Sequence, residues 1–215
     1  MTTRPIRRSV LAAAAATMAM MTAAQPVWAD GQSLRTMSDQ TTSDFQNECL
    51  TAINAYRTKH QAPPLTIDQK AVDYAKTRAL RSSQPGSFNH DGLAQGYGES
   101  LYSGSRGTRD PNTPYTPSTC KEAVESWYGQ AGHYDFNNPG PDQADETSSF
   151  TQLVWRATTA VGCARAGGAR EGGPADDGFY WHDTFVVCDF TPPGNFYVRG
   201  EAASAYAKNV LPAKS

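Results

Sequence analysis

Cysteine and histidine are both scarce in this 215-residue chain, at four of each. No two cysteines stand in the close C-x-x-C spacing that thiolate metal sites use. Charge is sparse too, with 19% Asp, Glu, Lys and Arg. Beyond the first few residues no block of Lys or Arg occurs, so the chain lacks the electrostatic footprint of a nucleic-acid or anionic-membrane binder. Long apolar runs are missing as well, except for "VLAAAAATMAMMTAA" near the start.

That run follows Arg4, Arg7 and Arg8 and precedes "VWA", a small-residue cleavage pattern ending at Ala29. It is alanine- and threonine-diluted and short for a span, so residues 1–29 are predicted to be an export signal rather than an anchor. The paired Arg7 and Arg8 leave both the general and the twin-arginine route open. Cleavage would leave residues 30–215, enough for one domain with a sizeable core. It would also make the formal charge three units more negative than the −2 of the whole chain. Cys49, Cys120, Cys163 and Cys188 all survive it, and an even count in an exported chain reads as two disulfides, with three pairings open from the count alone.

Residues 30–42 are polar and aperiodic and read as a mobile leader. In "SDFQNECLTAINAYRTKH", a Ser43–Gln46 capping box and Phe45, Cys49, Ile53 and Tyr56 at helical spacing predict a first helix to about Lys59. His60 would close it, suited to the helix dipole. A Thr66–Gln69 box opens a second helix, whose Ile67, Ala71, Val72, Ala75 and Ala79 form a narrow face suited to close packing. A long Gly-, Pro- and Ser-rich stretch follows, with one short strand near "ESLY". Thr119 and Glu122 cap a third helix, in which Trp127 shares the apolar face. Ser149 and Gln152 suggest a short fourth helix over 150–156, with Ser149 as its N-cap.

"AVGCA" and "FYWHDTFVVCDF" then read as an antiparallel hairpin across a Gly-rich connection. The hairpin would bring Cys163 to Cys188, leaving Cys49 on the first helix to meet Cys120 on the third. Pro193 and Gly194 suit the two centres of a type II turn. Helices around a small antiparallel sheet make an α+β arrangement.

Four stretches together resemble a known family. "SFTQLVWRATTAVGC" is similar to the first signature of the CAP superfamily (cysteine-rich secretory proteins, antigen 5 and pathogenesis-related protein 1), and "FVVCDFTPPGN" to the second. "NHDGLAQGYGESLY" and "AVESWYGQAGHYDFNNP" resemble the family's His/Gly-Glu-Asn segment and its Trp-bearing helix. The resemblance covers about residues 43–200, so a CAP domain is expected over 43–202 and a C-terminal tail over 203–215. It implies an α-β-α sandwich whose helices flank a three-stranded antiparallel sheet, with an open cleft at one end.

The family's cleft usually holds two histidines and two glutamates, able in some members to bind zinc. Carried over by position, the resemblance gives His90 and Glu99 for the first pair, but Gln130 and Ser149 where the second glutamate and histidine would stand. Glutamine and serine are poor neutral zinc ligands, so no resident cofactor is expected and a His90/Glu99 remnant should hold metal weakly. A shifted set using His133 in place of the lost histidine is the alternative. Tyr97, Tyr102, Tyr180 and Trp181 fall near the expected cleft, with core packing the preferred reading for Trp181, and Trp127, Tyr128, Phe150 and Trp155 are expected in the core.

The functional expectation is a secreted, monomeric, non-enzymatic domain that binds a ligand or partner, with sterols or other lipids as the class the resemblance implies. A hydrolase built on His90 and Glu99 is the runner-up, since no nucleophile with a base and an orienting group stands at a diagnostic spacing. A third reading is an effector that engages a host or cell-surface protein through its long loops.

Overall fold

A computed structural model describes residues 37–170 and 174–214. The export signal and most of the leader lie outside the described residues. Within them the order is β1 (Ser38–Asp39), α1 (Ser43–Lys59), β2 (Thr66–Ile67), α2 (Gln69–Ser82), β3 (Gly98–Thr108), α3 (Cys120–Gly129), α4 (Ala144–Val154), β4 (Ala160–Ala169), β5 (Tyr180–Thr191) and α5 (Ala202–Asn209). Short 3-10 turns, Gln130–His133 and Pro141–Gln143, join α3 to α4.

The three long strands form an antiparallel sheet in the order β4-β5-β3, with β1 and β2 each adding a two-residue pairing to β4. Alternation along the strands sorts the side chains into two layers. Val186, Cys188 and Phe190 of β5 and Val161 and Cys163 of β4 join Phe45, Ile53, Trp127, Phe150 and Leu153 in the main core under α1, α3 and α4. Val187, Ala164 and Ala166 turn the other way and meet Ala75 and Ala79 of α2. A side chain at Gly162 would run into the α2 backbone at Ala71 and Val72, so glycine there lets helix and sheet approach closely.

Covalent and polar pins cross the main core. Cys163 stands opposite Cys188 in the sheet register and is bonded to it, and Cys49 is bonded to Cys120. Buried Gln46 on α1 exchanges hydrogen bonds with the Cys163 backbone, donating to its carbonyl and accepting from its N–H at 3.3 Å. Arg57 is fully buried, and among the described residues no carboxylate forms an ion pair with it. Its guanidinium donates to the carbonyls of Pro63 (2.8 Å), Leu153 (3.0 Å), Trp155 (2.9 Å) and Thr158 (2.9 Å), which ties α1 to the end of α4 and the chain beyond it. Burial first, and the nearby Arg156 charge second, bring its pKa down to about 10.

Several local expectations are corrected. The α1 cap is Thr42, whose hydroxyl accepts the Phe45 N–H at 3.1 Å, because Gln46 is drawn into the core and cannot complete a box with Ser43. Thr66 is taken into β2, so Asp68 caps α2 instead. The Thr119–Glu122 box is present. The strand near "ESLY" runs for 11 residues, because its whole length pairs with β5. The helix expected over 150–156 begins at Ala144, which places Ser149 inside it rather than at its N-cap.

His60 closes α1 as expected, as its C-cap residue. It is buried, with Nδ1 2.6 Å from the Leu211 carbonyl and Nε2 3.2 Å from the Tyr128 hydroxyl, and burial holds its pKa below the usual value. Within the stretch expected as a C-terminal tail, α5 runs to Asn209; its Tyr206 packs edge-on against Trp155 with ring centres 5.1 Å apart, and Val210 is buried. The leader is partly structured too, since Ser38 and Asp39 pair with Gly167 and Ala166.

Candidate functional site

Glu99 is the second residue of β3, opposite Asp189 of β5, and its side chain turns towards α2. There it meets Arg78. The Arg78 Nε donates to Glu99 Oε2 at 2.6 Å and its Nη2 to Oε1 at 2.8 Å, a two-pronged pair with both side chains buried. The same guanidinium donates to the backbone carbonyls of Asp91 (2.8 Å) and Asn89 (3.2 Å), which fixes the loop on either side of His90. His90 Nδ1 then lies 2.8 Å from Glu99 Oε1, with 58% of the His90 side chain exposed. The result is a chain from α2 to solvent: Arg78, Glu99, His90.

The electrostatics follow from that order. Burial works to raise the Glu99 carboxyl, but the hydrogen bonds from Arg78 and His90 and their charges outweigh it and hold it below the ordinary carboxylate range. Asp189 lies beside this pair, fully buried, with neither oxygen hydrogen-bonded among the described residues. Burial first, then the Glu99 charge, push its carboxyl up to about 8, against the opposing pull of Arg78. Two buried carboxyl groups thus share one guanidinium, and Glu99 holds the hydrogen bonds.

Gln130 and Ser149 form a separate pair in the α3–α4 layer. Gln130 Oε1 accepts the backbone N–H groups of Ser149 (2.9 Å) and Phe150 (3.1 Å). The residue whose pattern suggested a cap is therefore capped itself. Among the described residues no hydrogen bond or ion pair joins this pair to His90 and Glu99. The link is indirect, through Gln152 of α4, which lies against Gly98 of β3 and accepts the Gly194 N–H at 2.8 Å.

His133 does not fill the gap. It faces Glu146 at 3.8 Å on an exposed surface. Tyr97 stands near His90, stacked on Tyr74 with centres 4.9 Å apart. Tyr180 and Trp181 pair with Thr108 and Gly107, eight or more residues along the strands from Glu99 and so roughly 25 Å away. The strand being longer than expected is what carries them off.

These residues do not suit zinc. Both Glu99 oxygens are held by Arg78 and His90, and the Gln130 oxygen is committed to two backbone N–H groups, which leaves His90 Nε2, its ring oriented by Glu99 through Nδ1, as a lone imidazole ligand. Among the described residues, the single group of three or more His, Cys, Asp or Glu side chains close enough to share an ion is the four half-cystines, already bonded in pairs.

A concave feature away from these residues was not foreseen from sequence. An open groove of about 620 Å³ runs between α1 and α3, lined by Glu48, Thr51, Ala55, Tyr56, Lys59 and Lys121 among others. Tyr56 stacks on Tyr128 with centres 3.8 Å apart, and the Lys59 ammonium lies over both rings at 4.7 and 5.6 Å. Lys121 and Glu125 pair at 2.9 Å along the opposite wall.

The sequence profile described as "CAP: Cysteine-rich secretory protein family" matches residues 50–190. This chain belongs to the CAP family. Relatives of this CAP domain include the human Golgi-associated plant pathogenesis-related protein 1, 31% identical over 83% of this chain and 99% of that protein. Pathogenesis-related protein 1A of Nicotiana tabacum is 31% identical over 73% of this chain and 79% of its own length. Repressed by EFG1 protein 1 of Candida albicans is 30% identical over 79% of this chain, which spans 54% of that longer protein. Among solved structures, the crystal structure of MpPR-1i is similar at 22% identity and a TM-score of 0.48, covering 74% of this chain and 95% of that one. The CAP domain's α+β fold, with helices on both faces of an antiparallel sheet, is as expected. No described helix is long and apolar enough to cross a membrane.

Proposed function

We propose that this CAP domain is exported and acts as a non-enzymatic holder of an apolar ligand, a lipid or sterol, in the groove between α1 and α3. The observation that carries the reading is the groove itself. Its volume falls within the usual range for small-molecule sites, and Thr51, Ala52, Ala55 and Tyr56 line it between the charged Asp44, Glu48, Glu125 and its partner Lys121, with Lys59 placed to meet a polar head. The export half rests on the sequence signal and on the two disulfides, which suit an oxidising compartment.

The Arg78–Glu99–His90 chain supports a structural role more than catalysis. A His–carboxylate dyad supplies a base and its orienting group, but among the described residues no Ser, Thr or Cys side chain is hydrogen-bonded to His90 to serve as nucleophile. Glu99 is also neutralised by Arg78, which leaves little basicity to pass on. Metal-activated hydrolysis would need ligands that these residues do not offer. What Arg78 and Glu99 do is fasten the 89–91 loop to α2 and β3.

Native mass spectrometry on protein purified from its own culture medium tests this reading. A co-purifying lipid mass that disappears in a Thr51→Trp/Ala55→Trp variant supports the groove. Retention of that mass by the variant counts against it.

A further inference from the structure

Half of the large hydrophobic side chains that the described residues leave exposed are consecutive: Phe196 (67% exposed), Tyr197 (40%) and Val198 (59%). The loop that carries them is fastened at its base. The Gly194 N–H donates to Gln152 at 2.8 Å, and the Asn195 side chain donates to the Ser148 carbonyl at 2.9 Å and accepts from the Thr151 hydroxyl at 2.7 Å. Asn195 itself has φ 58°, a left-handed turn that asparagine tolerates, and it directs the chain away from α4. The sequence placed the positive φ at Gly194. Gly194 is instead glycine because a side chain there would strike Gln152. Gly200, with φ 88°, closes the far side, and the Glu201 N–H returns to the Val198 carbonyl at 2.9 Å. The tip is therefore a held wedge of Phe, Tyr and Val, followed by exposed Arg199.

Phe196 and Val198, kept in water on a pinned loop beside Tyr197, whose ring centre lies 6.2 Å from that of Tyr206, mark an interaction site. We propose that residues 196–198 insert into the interfacial layer of a zwitterionic lipid bilayer. Size argues for a bilayer over a protein partner. A stable protein interface needs about 800 Å² from each side, and three side chains on a narrow loop flanked by Asn195, Arg199 and Glu201 cannot supply it. A bilayer asks for less: an apolar wedge, an aromatic hydroxyl at the headgroup level and a cation to meet phosphate, which are Phe196 with Val198, Tyr197 and Arg199 in turn. Charge selects the kind of bilayer. The chain is net negative and becomes more so once the N-terminal arginines are removed, so an anionic surface repels the body of the protein while a zwitterionic one does not. The inference stands whether or not the α1–α3 groove holds a ligand, because the wedge and its anchors lie on α4 and the loop after β5.

Co-sedimentation of the full secreted chain with sucrose-loaded phosphatidylcholine vesicles tests it. Wild type should partition measurably at millimolar lipid, and Phe196→Ser/Val198→Ser should partition at least tenfold less. Leu80→Ser, which removes an exposed apolar side chain elsewhere, should leave partitioning unchanged. Both variants should keep the wild-type melting profile, since none of these residues is in the core. Replacing a third of the lipid with phosphatidylserine should weaken wild-type binding. The proposal is overturned if wild type stays in the supernatant, if the double variant sediments as wild type does, or if a soluble protein partner, and no vesicle, is lost with Phe196 and Val198.

Discussion

Replacing Asp189 by Asn should make the protein more stable at alkaline pH while changing little near pH 4. The carboxyl is fully buried, sits opposite Glu99 in the sheet, and has no hydrogen-bond partner among the described residues. Burial and the Glu99 charge raise it from an ordinary 3.8 to about 8. The sign follows from proton linkage. Between those two values the folded state binds the proton and the unfolded state does not, so stability is fully present below about pH 4 and drains away as pH rises towards 8. At about 1.4 kcal/mol per pH unit the ceiling is about 6 kcal/mol. Relaxation and water entry around a charged Asp189 would bring the realised effect to about 2–4 kcal/mol, a large share of a typical total of about 5–15 kcal/mol. Asparagine keeps the shape and removes the ionisation. Urea unfolding of wild type and Asp189→Asn at pH 4.5 and pH 8 measures it. The gap between the two proteins should widen by about 3 kcal/mol in favour of the variant, equivalent to roughly 6–12 °C in Tm for a domain of this size. Profiles that stay parallel within about 0.5 kcal/mol would refute the assignment of Asp189 as a buried proton carrier.

Three further outcomes are expected. Arg57→Met takes the guanidinium donors from four carbonyls, three of them in buried hydrogen bonds, and should cost about 3 kcal/mol or more in chemical denaturation, with Arg57→Lys recovering only part of it. Removing Cys49–Cys120 as a pair should cost more than removing Cys163–Cys188, because the closed loops of 71 and 25 residues give about 4.4 and about 3.5 kcal/mol in the chain-entropy account. A calorimetric order opposite to that would show that strain or cavity terms dominate. Isothermal titration should find wild-type zinc affinity weak and at least tenfold improved by Gln130→Glu/Ser149→His, and tight wild-type binding lost with His133→Ala would restore the shifted set.

The sequence was most legible where a local pattern and the tertiary context agree. The third helix and its capping box are examples, as are the hairpin and the narrow small-residue face of α2. Both disulfides followed once the hairpin paired Cys163 with Cys188. Legibility failed where a residue with a good local role had a better distant one. Gln46 left its capping box to bind the Cys163 backbone, and Thr66 left its box for a bridge to β4. The α4 start was missed because its first turn is polar, and α5 because it is short and the apolar partner of its Tyr206 is Trp155, some fifty residues earlier.

The site was half legible. His90 and Glu99 were found through the family pattern, but Arg78 and Asp189, which set their chemistry, were not. Arg78 carried a signal: it falls at i+3 from Ala75 and i+7 from Ala71, a lone cation on the face that packs against the sheet. Asp189 carried one as well, as an acid in the middle of "FVVCDF". The α1–α3 groove had none, because no one helix shows the space it leaves beside another.

The most direct test of the central claim is a binding titration with radiolabelled cholesterol and palmitate on three proteins: wild type, Thr51→Trp/Ala55→Trp, and His90→Ala. The groove account predicts saturable binding of at least one probe by wild type and by His90→Ala, and a loss of tenfold or more when the two tryptophans fill the space between α1 and α3. Binding that survives the tryptophans and is lost with His90 would contradict it and return the ligand to the His90–Glu99 side of the molecule.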